Sequence, residues 1–260
     1  MSYETVLVES RAGVGTITLN RPEVRNALNA TMVREIWEAL QALEGDREIR
    51  VVILKGAGDK AFCAGADLKG LGDRGTTLQA REAFGGLAKI LEGIPRMKKP
   101  VIAQVHGYAL AGGCGLAVGC DLLVASDDAV FGLPEITVGL LPLMVMAPIF
   151  RAVGIKRGLP LVLTGEQITA REAYQLGLVT RVVARDELEP AARALAEKLA
   201  SLSPTALGLA KEAAYTIQDM EYGKSLKYLR ELITLVGLSD DAKEGIAAFF
   251  EKRPPRWTGR

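Results

Sequence analysis

The sequence predicts an α/β fold followed by a helical carboxy-terminal segment. Strand-like apolar runs alternate with helical patterns up to Pro204, the longer loops between them are rich in glycine, and only helical patterns follow Pro204. Alternation of this kind is typical of α/β proteins. A length of 260 residues is ample for a large hydrophobic core.

The amino-terminal part is predicted as a hairpin, a helix and a buried strand. Alternating apolar residues in TVLVES and VGTITLN, joined by Arg11 to Gly13, indicate the hairpin. A helix follows from Asn29, which can cap it, and apolar residues recur at helical spacing as far as Leu43. The apolar run VVILK predicts the next strand.

The middle of the chain contains two glycine-rich stretches. After Lys55 the run GAGDKAFCAGADLKGLGDRG predicts a loop too long for a simple connection, and such loops usually bind a ligand. A helix from Leu78 to Leu91, the strand VIAQV, a glycine turn with a helix to Cys120, and the strand LLVA follow. These elements continue the β-α-β alternation.

Helical patterns dominate from Thr169 onward, interrupted by the short strand LVTRVV. Pro204 cannot continue a preceding helix, so we predict an α/β core over 1–203 and a helical oligomerisation region over 204–260. An apolar stripe in this region exceeds what a terminal appendage needs, and a subunit interface would bury it. Its members are Leu226, Leu229, Leu232, Ile233, Val236 and Leu238.

Charge and cysteine content argue against several classes of protein. The 32 basic and 31 acidic side chains give a net charge of +1, and no basic aromatic segment favours RNA, so we expect no nucleic acid as partner. The cysteines form no CxxC pair, which argues against disulfides and favours the cytoplasm. No secretory pattern opens the chain, and glycines divide the uncharged run from Pro100 to Cys120, so we expect no membrane span.

Residue counts exclude further mechanisms. His106 is the only histidine, so a histidine-rich metal site is impossible, and its place at the end of VIAQV favours a satisfied structural role over catalysis. A dinucleotide motif on Gly113 and Gly115 would need a third glycine where Val118 stands. We therefore expect no metal and no nicotinamide.

The sequence does offer two glycine-rich turns and one carboxylate with apolar neighbours. The turns are Ala64 to Asp67 and Ala111 to Gly113. Amides from two such turns can converge on one oxygen and stabilise the charge that builds on a thioester carbonyl when a proton leaves the neighbouring carbon. The carboxylate is Glu135 in FGLPEITVGLLP. Burial would raise its pKa toward the range useful for proton transfer, although a glutamate that points to water or caps a helix fits the local pattern equally well.

Six segments follow one another along the chain: AFCAGADL, KKPVIAQVHGYALAGGCGLAVGCDLLVAS, FGLPEITVGLLP, RAVG, LTGEQITAREAYQLGLV and KEGIAAFFEKR. Their order and spacing resemble the crotonase family of enoyl-CoA hydratases and isomerases. The resemblance covers nearly the whole chain. It implies a spiral of repeated β-β-α turns, a carboxy-terminal helical trimerisation region, and a homotrimer or a hexamer built as a dimer of trimers. It also implies an acyl-CoA thioester substrate, with coenzyme A as part of that substrate and no separate cofactor.

The resemblance implies roles for particular residues. The oxyanion amides fall on Ala66 and Gly112, and Glu135 becomes the acid/base. Lys252, in EKR, matches a lysine that reaches coenzyme A, although a solvated terminal lysine fits equally well. The residues implied to lie against the substrate are Ala64, Leu68 and Lys69 in the coenzyme A loop, Gly115 after the second turn, and Lys252.

Two departures from the family pattern leave the reaction open. Hydratases of this family generally carry two catalytic glutamates, and the first belongs at Gly115. A single Glu135 can still shift a double bond, so hydration, isomerisation and a non-catalytic acyl-CoA-binding role all stay open. If the pocket otherwise keeps the hydratase arrangement and the larger side chain fits near the helix start, Gly115→Glu should place a second carboxylate across from Glu135 and raise hydration. The second departure is the apolar stretch Leu143 to Met146, where Met144 and Met146 either pack around an acyl chain or belong to the core.

Overall fold

The computed structural model describes residues 3–68 and 76–260, and of residues 78–80 and 82–84 it describes the backbone alone. Its strands form two sheets. A six-stranded sheet contains, in spatial order, β1 (Val6–Arg11), β2 (Val14–Leu19), β3 (Val51–Gly56), β5 (Val101–Val105), β7 (Leu122–Ser126) and β10 (Arg181–Val183). A four-stranded sheet contains β4 (Ala61–Cys63), β6 (Tyr108–Leu110), β8 (Val130–Gly132) and β9 (Gln167–Thr169).

Helices cover the sheets and make up the carboxy-terminal part. In the described part of the chain three short 3-10 turns accompany them, at Pro22–Val24, Pro134–Val138 and Arg185–Glu187. The helices are α1 (Ala30–Gly45), α2 (Thr77–Arg96), α3 (Gly112–Val118), α4 (Leu143–Val153), α5 (Ile155–Thr164), α6 (Ala170–Leu176), α7 (Leu188–Ala200), α8 (Pro204–Ile217), α9 (Tyr222–Leu238) and α10 (Asp240–Glu251).

The chain repeats a β-β-α unit, as predicted. In each unit one strand enters the large sheet, the next enters the small sheet, and a helix returns the chain: β3-β4-α2, then β5-β6-α3, then β7-β8 with the 3-10 turn and α4. Neighbouring units are parallel in both sheets. Because parallel strands end at the same edge of a sheet, the segments that follow β4, β6 and β8 lie side by side.

Glycines form the corners where the chain passes from one sheet to the other. Gly107, between β5 and β6, has a φ of +53°, and a Cβ there would lie 2.2 Å from the carbonyl oxygen of Lys60. A side chain would collide with this oxygen, and glycine adopts the positive φ at no steric cost. The close corner holds β6 beside β4, where the backbone of Tyr108 donates to the same Lys60 oxygen.

The amino-terminal elements confirm their predictions, and one predicted loop is wrong. The hairpin turns at Ala12 and Gly13, both with positive φ, and Asn29 caps α1 by accepting a hydrogen bond from the amide of Met32. The stretch after Lys55, predicted as loop throughout, contains β4. A strand of three residues that are all buried shows no alternation, so the pattern could not reveal it.

The last three helices pack on one another, and α8 is tied to the rest of the chain by a buried ion pair. Lys211 of α8 and Asp121, which follows α3, lie 2.6 Å apart with little solvent exposure. Tyr215 donates to the other oxygen of the same carboxylate at 2.9 Å. The α8 helix begins at Pro204, capped by Ser203, at the predicted boundary. Among the described residues no helix is long and apolar enough to cross a membrane.

Candidate active site

The first glycine-rich turn follows β4 and leaves one amide free. Leu28 donates to the carbonyl of Gly65 and accepts from the amide of Asp67. The peptide between Gly65 and Ala66 is trans, so the amide of Ala66 points away from Leu28, on the opposite side from the Gly65 carbonyl. It donates to no described residue.

A polar cluster before α1 holds this turn in place, and sequence reasoning did not find it. Arg21 makes an ion pair with Asp67 at 3.0 Å and donates to the carbonyl of Ala27. The buried amide of Asn26 donates to the carbonyls of Ala57 and Ala61, both at 2.9 Å. Asn26 has a φ of +54°, a conformation that asparagine tolerates better than most residues. The asparagine at the end of the run Arg21 to Asn26 could therefore have predicted a turn at this point of the chain.

The second turn, between β6 and α3, is held in an uncommon conformation. Ala111 has a φ of +54° and a ψ of −129°, a region that residues with side chains seldom adopt. Its amide donates to Gly132 and its carbonyl accepts from Gly115. The carbonyl of Ala111 therefore points along α3, and the amide of Gly112 points the other way, free of any described partner.

The two turns meet through positions that lack side chains. A Cβ at Gly65 would lie 2.6 Å from the Cβ of Ala111 and 3.4 Å from the nitrogen of Gly112. A Cβ at Gly112 would lie 3.9 Å from the nitrogen of Ala66. The free amides of Ala66 and Gly112 therefore lie close together, as a pair of donors to one oxygen requires.

Glu135 lies in the 3-10 turn after β8, at the same edge of the small sheet. Its side chain is half-buried, and burial raises its pKa, as predicted; a hydrogen bond from its own backbone amide acts in the opposite direction. Its Oε2 atom is buried and has no hydrogen-bond partner among the described residues. The negative charge of Glu135 contributes to the raised pKa of the Cys114 thiol, which places the carboxylate near the first turn of α3. The buried Oε2 atom does not point to water, which favours the prediction of a partly desolvated carboxylate.

Comparison with known proteins decides the family. A family model described as enoyl-CoA hydratase/isomerase matches residues 9–260. A probable enoyl-CoA hydratase of Rhizobium meliloti is 44% identical over 100% of both chains. The 2,3-dehydroadipyl-CoA hydratase of Escherichia coli is 39% identical over 98% of this chain and 99% of that protein. The crystal structure of an enoyl-CoA hydratase from Bacillus anthracis, 36% identical, has a TM-score of 0.93 and covers 99% of this chain and 100% of its own.

The chain belongs to the enoyl-CoA hydratase/isomerase family. Relatives of this identity, aligned from end to end, show an enzyme of enoyl-CoA hydratase/isomerase type with the crotonase fold. The roles of individual residues are not decided by these likenesses. They depend on the geometry of the two turns and of Glu135.

Within this family member, Gly115 is covered by another side chain. It is buried on α3, one helical turn after Gly112. A Cβ at Gly115 would lie 2.0 Å from Cγ1 and 2.3 Å from Cβ of Val145, which belongs to α4. The expectation that Gly115→Glu alone would place a second carboxylate in the site is therefore wrong, because the space that its side chain needs is filled.

The residues predicted to contact coenzyme A are only partly described. Ala64 is half-buried at the start of the first turn, and Leu68, just after it, exposes 56% of its surface. Lys69 lies outside the described residues. Lys252 is an exposed residue in left-handed conformation at the end of α10, a helix that packs on α8 and α9 and forms neither turn.

A cavity of about 970 Å³ lies between α2, α3, α4 and α8. Its walls include the apolar side chains of Leu91, Val118 and Met144, and Asp121 and Tyr215 line a polar part. Ala66, Gly112 and Glu135 do not line it, so the cavity is not the amide-lined site. Met146 instead packs against the hydrophobic core.

His106 is buried at the end of β5, as its position suggested, but it is not fully satisfied. A hydrogen bond with the backbone of Gly58 engages the ring, whereas Nε2 has no partner among the described residues. Burial is the main cause that lowers its pKa, with the nearby Arg185 charge as the second cause. Among the described residues no group of three or more histidine, cysteine, aspartate or glutamate side chains is placed to hold a metal ion.

Proposed function

We propose that this enzyme binds an acyl-CoA thioester with its carbonyl oxygen between the amides of Ala66 and Gly112, and that Glu135 moves a proton at the acyl chain. The observation that carries the proposal is the pairing of two free, adjacent amides with a half-buried carboxylate near the same helix start. Amide donors fixed at a developing oxyanion lower the barrier because they need no reorganisation during the reaction.

The chemistry follows from the charge that forms. The carboxylate of Glu135 takes a proton from the carbon next to the thioester carbonyl, and the electron pair of the broken C–H bond moves toward the carbonyl oxygen. The resulting enolate is stabilised by the two amides. Glu135, now protonated, returns the proton to the chain. In a 3-enoyl-CoA the proton leaves C2 and returns at C4, so the double bond moves to C2–C3 without any change in composition.

Isomerisation is the reaction that a single carboxylate supports most simply, because one group both accepts and returns the proton. Asp67, the carboxylate in the first turn, is paired with Arg21. Hydration is the second candidate, favoured by relatives that carry the name enoyl-CoA hydratase. In hydration the oxygen of water adds to C3, one of its protons passes to Glu135, and Glu135 then delivers that proton to C2.

The coenzyme A part of the substrate is assigned to residues next to the first turn and to a lysine at the end of α10. We propose that Ala64 and Leu68, together with Lys69, line the path of coenzyme A next to the first turn, and that Lys252 provides a cation for one of its phosphates. Ammonium groups bind phosphate well as point charges. No cofactor other than the coenzyme A of the substrate is included in the proposal.

Product mass and one substitution test the proposal together. The purified protein is offered 2-enoyl-CoA and 3-enoyl-CoA, since hydration adds the mass of water and isomerisation leaves the mass unchanged. Glu135→Gln should reduce either turnover by about 10²–10⁴-fold, the usual contribution of a general acid–base group, while acyl-CoA binding persists. Glu9→Gln, the same change at an exposed residue of β1, is the matched control and should retain full activity.

Two results would contradict the assignment. Wild-type turnover by a folded Glu135→Gln protein would reduce Glu135 to a structural residue. Binding of acyl-CoA by the wild-type protein without turnover of any enoyl chain length would favour the non-catalytic alternative.

A further inference from the structure

Val145 is packed against Gly115, the position of α3 at which the family resemblance implies a second carboxylate. Gly115 lies three residues after Gly112, so the two share a face of the helix. Val145 is 2% exposed, and both its Cγ1 and its Cβ lie within 2.3 Å of the place where a Cβ at Gly115 would stand.

The space cannot be cleared by a rotation of Val145. Its own Cβ would lie 2.3 Å from the added atom and its Cα 3.2 Å, and neither moves with the side-chain torsion. A β-branched residue in a helix also has one strongly preferred rotamer. Any residue larger than glycine at position 115 therefore requires that α4 move or that Val145 lose its side chain.

The position is also close to the proposed base. Cys114 precedes Gly115, and its thiol is near enough to Glu135 for the carboxylate charge to raise its pKa. Position 115 is thus the next residue after a thiol that senses the charge of Glu135, and it lies one helical turn after Gly112. Two carboxylates would divide the work of hydration, one taking a proton from water while the other supplies a proton to C2.

On the basis of the proposed function, we infer that Val145 is a residue that determines reaction specificity: it fills the place of a second acid–base side chain and keeps Glu135 as the single proton-transfer group. A site built this way favours movement of one proton along the acyl chain over addition of water. Met144, the residue before Val145, lines the neighbouring cavity, so the same segment of α4 also shapes the space beside the site.

A stability cycle tests the packing without any reference to activity. Gly115→Ala should lower the midpoint of thermal unfolding, because the new methyl group overlaps Val145. Gly85→Ala is the matched control, since Gly85 is also helical but has no atom of the described residues within 4 Å of an added Cβ, and it should not lower the midpoint. Val145→Gly should be destabilising alone, and the double variant Gly115→Ala/Val145→Gly should be more stable than the sum of the single effects.

Measured hydration rates test the proposed role of Val145 in reaction specificity. Gly115→Glu/Val145→Gly should hydrate 2-enoyl-CoA at least about tenfold faster than Val145→Gly alone, since an added acid–base group typically contributes about 10²–10⁴-fold. Gly115→Glu without the second change should show no gain. Additive stability effects in the cycle, a gain from Gly115→Glu alone, or a folded Gly115→Glu/Val145→Gly variant without a gain would each overturn the inference.

The outcome separates this inference from the function on which it rests. If Glu135→Gln leaves turnover unchanged, the proposed function fails whatever the cycle shows. If turnover depends on Glu135 and the effects at positions 115 and 145 are additive, only the role of Val145 is wrong.

Discussion

Glu135 has apolar neighbours, and its Oε2 atom has no hydrogen-bond partner among the described residues. The sequence predicts the setting, because leucine, proline and isoleucine surround the glutamate in FGLPEITV. It does not predict that Oε2 is buried without a partner, since this depends on residues far away in the chain. Burial without a cation disfavours the charged form, which is why the pKa of this carboxyl lies above its ordinary value.

The raised pKa of Glu135 predicts the pH below which activity is lost. The base is the carboxylate, so the rate of proton removal falls as pH drops through the pKa of Glu135. Because burial raises that pKa, the acid limb of kcat/KM should lie at higher pH than the ordinary glutamate range. The pH dependence of kcat/KM gives the pKa of this acid limb. A pKa at or below the ordinary glutamate range would contradict the assignment of Glu135 as the base.

Gly115 and Val145 show what sequence comparison misses at single positions. Each stands in a segment that departs from the family pattern, at the second turn and in the stretch Leu143 to Met146. That the two departures touch is visible only in the structure, where α3 and α4 bring them together. The absence of a side chain at position 115 leaves room for Val145, so a larger residue at position 115 needs a smaller one at position 145.

At the scale of elements, short parallel strands place the two amide turns side by side. The β4 and β6 strands have three residues each and pair in parallel, so the turns that follow them leave the sheet at the same edge. Both turns could be predicted from their glycines. The small sheet that joins them could not, because strands of this length carry too little pattern.

The close approach of the two amide turns depends most on Gly65. Gly65→Ala should lower kcat without abolishing folding, because the new Cβ would lie 2.6 Å from the Cβ of Ala111 and push the two amide donors apart. Gly177→Ala is the control: Gly177 has a comparable φ of +95° but nothing within 4 Å of an added Cβ. Both variants carry the cost of a left-handed alanine, about 1–2 kcal/mol, so their unfolding midpoints should fall. Only Gly65→Ala should lose activity, and equal kcat values for the two variants would exclude the proposed amide pair.

At the scale of the whole molecule, the carboxy-terminal helices expose apolar side chains that their own packing does not cover. Leu226, Ile233 and Leu238 of the predicted stripe expose 51%, 65% and 68% of their surface, and Phe249 and Phe250 of α10 are exposed as well. Patches of this kind usually mark interfaces. The trimer or hexamer expected from the sequence would bury them, and the division at Pro204 into core and oligomerisation region stays a prediction.

An acidic substitution in the apolar stripe of α9 tests the predicted oligomer. Ile233→Glu should convert the wild-type oligomer into a smaller species, because an unpaired carboxylate would be buried at the interface. Lys227→Glu, at an exposed polar position of the same helix, should leave the mass unchanged. Light scattering coupled to size-exclusion chromatography gives the mass of each species. A monomeric wild-type protein would contradict the predicted oligomer.

The central claim is that Glu135 forms a thioester enolate held by the amides of Ala66 and Gly112. The most direct measurement is exchange of the C2 protons of butanoyl-CoA in D₂O, followed by mass, because it reports enolate formation without hydration or a double bond. The wild-type enzyme should incorporate deuterium at C2, and Glu135→Gln should slow this by about 10²–10⁴-fold while acyl-CoA binding persists. Deuterium incorporation at the wild-type rate by the folded variant would contradict the account.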